Sequence, residues 1–215
     1  MTTFANSLAT AAVVVTVAAV IVLWRRRLRS ILVALSAQGV ALAGVAALLA
    51  GHEHDASLIV VAALVLAIKA VVIPGLLARV VATRSARESD PLVNVPASLV
   101  AAGLLTLVAF LAARPVVHVV AGPTGRLIPL GLATVLIGFF VMIARKRALS
   151  QIVGLLMVDN GVALIAFLVT SGVPVIVELG ATLDVLFGVV VLRVLLARLS
   201  ASGLRDLDQL RSLHD

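Results

Sequence analysis

The 215-residue chain has no cysteine, and only 13% of its residues are charged. The missing thiols exclude disulfides, Cys-ligated iron–sulfur clusters and thiol catalysis. Histidine is scarce as well, with four in the whole chain. His52 and His54 share one short loop, His118 lies in another and His214 is at the C-terminus. None is placed for a haem, so the chain is expected to carry no cofactor and no electrons of its own. The shortage of charge is equally informative. A soluble domain has about 25% charged residues and about 45–50% apolar ones. Here 62% are apolar and mean hydropathy is +1.24. That leaves too little polar residue to cover a water-facing surface.

What is present is a series of long apolar runs. Seven can be read, at about 5–24, 28–50, 56–82, 94–112, 127–144, 148–170 and 173–198. Each is near the ~20 residues that cross a hydrocarbon core, and runs of this kind must be helical because lipid satisfies no backbone group. The expected fold is therefore all-α, a polytopic membrane protein of seven transmembrane helices. No basic stretch precedes the first run, so a retained helix is expected there and not a cleaved signal peptide.

The net charge of +7 does not imply a nucleic-acid partner, because the cations sit at the ends of the apolar runs. Arg25, Arg26, Arg27 and Arg29 lie between runs one and two, Arg79, Arg84 and Arg87 between three and four, and Arg145, Lys146 and Arg147 between five and six. Arg193, Arg198, Arg205 and Arg211 end or follow run seven, whereas the opposite loops hold only Arg114 and Arg126. The positive-inside rule then places the N-terminus outside and the C-terminus in the cytoplasm.

The chain also repeats. Arg25-Arg26-Arg27 and then Gln38-Gly39-Val40-Ala41-Leu42 are answered by Arg145-Lys146-Arg147 and Asn160-Gly161-Val162-Ala163-Leu164. Leu76-Leu77-Ala78-Arg79 is answered by Leu195-Leu196-Ala197-Arg198, and the three offsets are 120, 122 and 119. Runs one to three and five to seven read as two parallel copies of a three-helix unit, with run four restoring direction. The expected divisions are 1–83 for the first repeat, 84–126 for a linker with helix four, 127–199 for the second repeat and 200–215 for an amphipathic tail. In that tail Leu204, Leu207, Leu210 and Leu213 recur every three residues, a stripe that can lie on a membrane surface or dock a partner.

Four ionisable residues fall inside the runs: Lys69, Asp159, Glu178 and Asp184. Each costs about 2.5–3.5 kcal/mol at a helix centre and calls for a reason. At ~1.5 Å per residue, Lys69 is about 15 Å from Arg79, Asp159 about 18 Å from Arg147 and Asp184 about 21 Å from Arg198. All three fall near the midplane, and Glu178 is about 9 Å nearer the outer face than Asp184. Carboxyls on facing helices suit a proton relay, since desolvation and a like-charged neighbour both disfavour their charged form. The competing reading is that the charges pair, Lys with Asp, and hold helices together. Pro74, five residues beyond Lys69, removes a helix hydrogen bond and leaves the Ala70 carbonyl available. Gln38 and Asn160, counterparts in the repeat, read as interhelical hydrogen-bonding residues. His52, Glu53, His54 and Asp55 read as a solvated loop and not a metal site.

These residues resemble a known pattern. Arg145-Lys146-Arg147-Ala148-Leu149-Ser150-Gln151-Ile152-Val153-Gly154, Asp159-Asn160-Gly161 and Val177-Glu178-Leu179-Gly180 through Asp184 resemble the membrane E component of hydrogenase-4 and formate hydrogenlyase-type complexes. Ile68-Lys69-Ala70 with Ile73-Pro74 is similar too. Each three-helix unit is also similar to the K subunit of respiratory complex I and the C subunit of cation/proton antiporters. Asp159 falls near the first acidic position of that subunit, and Asp184, with Gly188 after it, on the second. Two departures stand out: the family tends to have Glu where Asp159 stands, and the first copy has Gln38 and Val65 near the two acidic positions and carries Lys69 instead.

The resemblance implies a non-catalytic subunit of a bacterial or archaeal plasma-membrane complex. Its partners would be antiporter-like membrane subunits, a membrane anchor subunit, and nickel–iron hydrogenase and iron–sulfur subunits. Its role would be scaffold and part of a proton path through Asp159 and Asp184, with Lys69 and Glu178 as further candidates. The rival readings are a subunit of a multisubunit cation/proton antiporter, a stand-alone small-molecule transporter and a structural anchor. A transporter would show broken helices in matching halves, and Pro74 has no counterpart inside run seven.

Overall fold

The computed structural model describes residues 2–25, 27–82, 94–120, 122, 124–145 and 148–170. The expected seventh run, the tail 200–215, Glu178 and Asp184 lie outside the described residues. Helices α1 (Thr2–Trp24) and α2 (Leu28–Glu53) form a hairpin. The third run is α3 (Ala56–Val65), a π-helical stretch (Leu66–Val72) and α4 (Ile73–Ala82). Then come α5 (Val95–Ala112), the short α6 (Arg114–Val119), a 3-10 turn (Gly125–Leu127), α7 (Ile128–Ala144) and α8 (Ala148–Thr170). Among the described residues, six stretches are long and apolar enough to cross a membrane: Thr3–Trp24, Leu28–Glu53, Ala56–Arg79, Val95–Ala112, Gly125–Ala144 and Leu149–Val169. The boundaries fall within a few residues of those expected for the first six runs.

Local chemistry sets the helix ends. His54 takes a left-handed conformation (φ 54°) and closes α2. Asp55 then starts α3 by accepting from the Ser57 amide at 2.8 Å. That bond and the Ser57 side chain hold the Asp55 carboxyl below the usual carboxylate range. The cap therefore adds stability above the ordinary pKa of 3.8, and the contribution fades as pH falls through the lowered value. His52 stacks on Phe4 with ring centroids 4.1 Å apart. The expected His52–Asp55 loop is shorter than read: His52 and Glu53 end α2, and only His54 and Asp55 make the turn and the cap. Asn94 caps α5 through the Ala97 amide at 3.0 Å, and Pro96 fits its first turn.

Helices α1, α2, α7 and α8 make the centre of the bundle. α1 packs on α2 and α7 on α8, while the first helices of the two units meet each other and so do the second. The third run lies along α2, and α5 lies against α7 and α1. The α7–α8 contact is set by glycine. Gly131 faces Gly161 and Gly138 faces Gly154, each seven residues along its helix. A Cβ at Gly161 would stand 2.8 Å from the Gly131 oxygen and from the Val135 nitrogen. Such close backbone approach is what drives helix association where lipid is as apolar as leucine.

Arg145 joins the two units at the basic end. It is 4% exposed, and its guanidinium donates to the carbonyls of Val22, Leu23 and Arg25 at 3.2–3.3 Å. These are the last carbonyls of α1, which lack helical partners and carry the negative end of the helix dipole. Arg25, its counterpart 120 residues earlier, is exposed.

Two glycine substitutions test the packing. Gly161→Ala should cost about 1–3 kcal/mol, because only backbone movement can relieve the contact. Gly44→Ala, where a Cβ meets nothing within 4 Å, should change stability by less than about 0.5 kcal/mol. Thermal unfolding of both variants in detergent measures the difference, and equal midpoints would show that glycine contact does not set the helix separation.

Candidate functional site: a polar layer at mid-membrane

The apolar core is divided. One buried cluster includes Leu8, Val15, Leu42, Val65, Leu164 and Phe167. The other includes Ala19, Leu35, Ile73, Ile137, Val153 and Met157 and lies toward the basic end. Between them sit polar side chains from five elements: Thr16 on α1, Gln38 on α2, Lys69 on the π-helical stretch, Thr134 on α7, and Asp159 and Asn160 on α8. Each is flanked along its own helix by members of both clusters or their close neighbours.

These groups satisfy one another. Lys69 Nζ lies 2.9 Å from Asp159 Oδ2, with the side chains 3% and 17% exposed. Asn160 Nδ2 donates to Gln38 Oε1 at 3.0 Å, and Gln38 Nε2 donates to the Val15 carbonyl at 3.0 Å. Gln38 and Asn160 are 122 residues apart, the offset of the repeat, so counterparts bond to each other. The Thr16 and Thr134 hydroxyls are 3.3 Å apart, and both reach the Leu130 carbonyl, at 3.1 and 2.9 Å. The layer therefore runs sideways through the bundle, from Thr134 and Thr16 by way of Gln38 and Asn160 to Asp159 and Lys69.

Backbone detail delivers Lys69 to this layer. Gly39 lets α2 approach so closely that a Cβ there would be 2.8 Å from the Lys69 carbonyl carbon and the Ala70 nitrogen. Pro74 has no amide to donate, and the turns before it widen: the Ile73 amide donates to Ile68, five residues back. Gly39 and Gly161 are counterparts with different uses, one against the Lys69 backbone and one against α7.

Depth counting sets Lys69 and Asp159 near the midplane, and the competing reading pairs a Lys with an Asp without naming which aspartate. The structure brings them together, the first unit supplying the cation and the second the carboxylate. Thr16, Thr134, the π-helical widening and the buried Arg145 were not anticipated. Glycines seven apart on two neighbouring runs were a visible signal for the α7–α8 contact, whereas a lone threonine in an apolar run carries none. Among the described residues no three metal-ligating side chains come together.

Six helices among the described residues, long and apolar enough to cross, with charged and amide groups buried at one level, define a polytopic α-helical membrane protein. The chain is 49% identical over 201 residues to "Uncharacterized protein Rv0085" of Mycobacterium tuberculosis (strain ATCC 25618 / H37Rv), covering 92% of this chain and 91% of the relative. It belongs to the same family as that mycobacterial protein. No family model matches the chain, and no solved structure matches it.

A double-mutant cycle measures the ion pair. Asp159→Leu and Lys69→Met should each destabilise the protein by about 3–5 kcal/mol, because each removes the ion-pair partner of a buried charge. Lys69→Met combined with Asp159→Leu should recover most of that loss. Additive effects of the two single changes in detergent unfolding would mean that the groups do not interact.

Proposed function

We propose that this chain is a membrane subunit of a complex I-related nickel–iron hydrogenase assembly in a bacterial plasma membrane. It serves there as a scaffold and as one section of the proton path. It has seven spans, its N-terminus outside, and no catalytic centre of its own. Its partners are antiporter-like membrane subunits, a membrane anchor subunit, and hydrogenase and iron–sulfur subunits, which carry the redox chemistry. The resemblance of residues 145–161 to the E component of such complexes suggests the assembly. The mycobacterial relative favours a bacterial membrane.

The observation that carries the proton-path reading is the Lys69–Asp159 pair, held in an apolar bundle by groups from both three-helix units. Paired, the two charges cancel each other. A proton arriving on Asp159 removes that cancellation, and the proton next released restores it. The pair is then one exchange unit. Gln38 and Asn160 beside it offer hydrogen-bond partners on the side facing α1. Asp184 and Glu178 belong to the same proposed path in the second unit.

The decisive variant is the neutral pair, Lys69→Met with Asp159→Leu, which keeps the packing and removes both charges. In inverted vesicles the complex should retain hydrogen turnover and lose most of its proton translocation, read by a pH-sensitive dye. Undiminished pumping would mean that the pair only holds helices together. Co-purification of the native complex separates the rival reading: antiporter subunits without a hydrogenase would place the same layer in an ion exchanger.

A further inference from the structure

Two open apolar grooves flank α2 at its basic end, and each ends in an arginine. The first, about 450 Å³, runs between α1 and α2 from Val14 to Arg25. The second, about 520 Å³, lies between α2 and the kinked third run, from Ala70 and Gly75 to Arg29. Val33 lines both and forms the ridge between them. Val33 is 69% exposed, and both arginines are exposed. Before it meets a further hollow lined by Ser7, Thr10 and Val40, the first groove follows eleven residues of α1, from Arg25 to Val14, about 16 Å at 1.5 Å per residue. That is roughly half of the ~30 Å hydrocarbon core, the depth of one leaflet. Serine hydroxyls add polar partners, Ser30 in the first groove and Ser36 in the second.

We infer that a two-phosphate, four-chain lipid of the cardiolipin class straddles α2 in the leaflet on the arginine side. One phosphate sits on Arg25 and the other on Arg29, and acyl chains fill the groove on each side of Val33. Charge complementarity selects a lipid over a partner helix, because each groove is apolar along its length and cationic only at the membrane surface. The pairing of grooves selects two phosphates over one. A single-phosphate lipid would engage one arginine and one groove, whereas a short bridge between two phosphates spans the ridge. Basic pockets between transmembrane helices hold such headgroups for the same electrostatic reason. The contrast with Arg145 is informative: that arginine is consumed by the carbonyls of α1, while its counterpart Arg25 is left at the mouth of a groove.

The test uses the full chain with its native partners in mild detergent, with cardiolipin and phosphatidylglycerol added at equal phosphate. Native mass spectrometry should find one cardiolipin retained per chain in preference to phosphatidylglycerol. Arg25→Gln with Arg29→Gln should weaken retention roughly thirtyfold, from about one factor of five for each surface cation. Gly75→Leu puts a side chain into the second groove, and its Cβ meets nothing within 4 Å. It should abolish the preference for cardiolipin and leave phosphatidylglycerol binding intact. Equal retention of the two lipids by the unaltered protein would overturn the inference, as would unchanged binding by the arginine variant. So would a photoreactive group at Ala37, in the first groove, that labels a partner protein or residues 171–215 of this chain instead of lipid.

Discussion

A polar group at the centre of a bilayer finds no water, so its partner has to come from the protein. That constraint organises this bundle. Five helices each bring polar side chains to one level, and each of those groups meets another or a backbone carbonyl. Apolar faces alone would let helices slide past one another, because lipid solvates leucine as well as leucine does. The Lys69–Asp159 pair, the Asn160–Gln38–Val15 chain and the Thr16–Thr134 contact remove that freedom. Sliding any of the helices by a turn would strand a charge or an amide in hydrocarbon.

The two stretches that the sequence reads as repeats differ in ways that make the layer possible. Position 38 kept an amide oxygen to accept from the amide at 160. Gly39 and Gly161 remain glycine for different close contacts, one with the backbone that carries Lys69 and one with α7. Arg145 is buried as a cap on α1, whereas Arg25 faces outward. A cation in the first unit and a carboxylate in the second give a pair that neither unit could form alone. The division of labour is thus between copies, and the interface between them is where the unusual chemistry sits.

The outer surface is as telling as the core. Helix α5 buries only a stripe of small residues, Ser98, Ala102 and Ala109, and turns Leu104, Leu107 and Val108 outward. The ridge and grooves around α2 are likewise uncovered. In a membrane these faces meet acyl chains or neighbouring protein. The family shared with the mycobacterial relative extends over nearly the whole of both chains.

Composition and run length were enough to define an α-helical membrane protein and to place the boundaries of six crossings. The physics there is one-dimensional: about 20 apolar residues cross a bilayer, and charges collect at the ends. Depth was legible for the same reason, so Lys69 and Asp159 could be set near the midplane by counting. Partnership was not. Which faces of α2, α8 and the third run turn toward each other depends on Gly39, on the Gly131–Gly161 and Gly138–Gly154 contacts, and on a π-helical widening before Pro74 that rotates Lys69 into place. Those are decided by backbones meeting in three dimensions, where a difference of one methyl group changes which helices can touch.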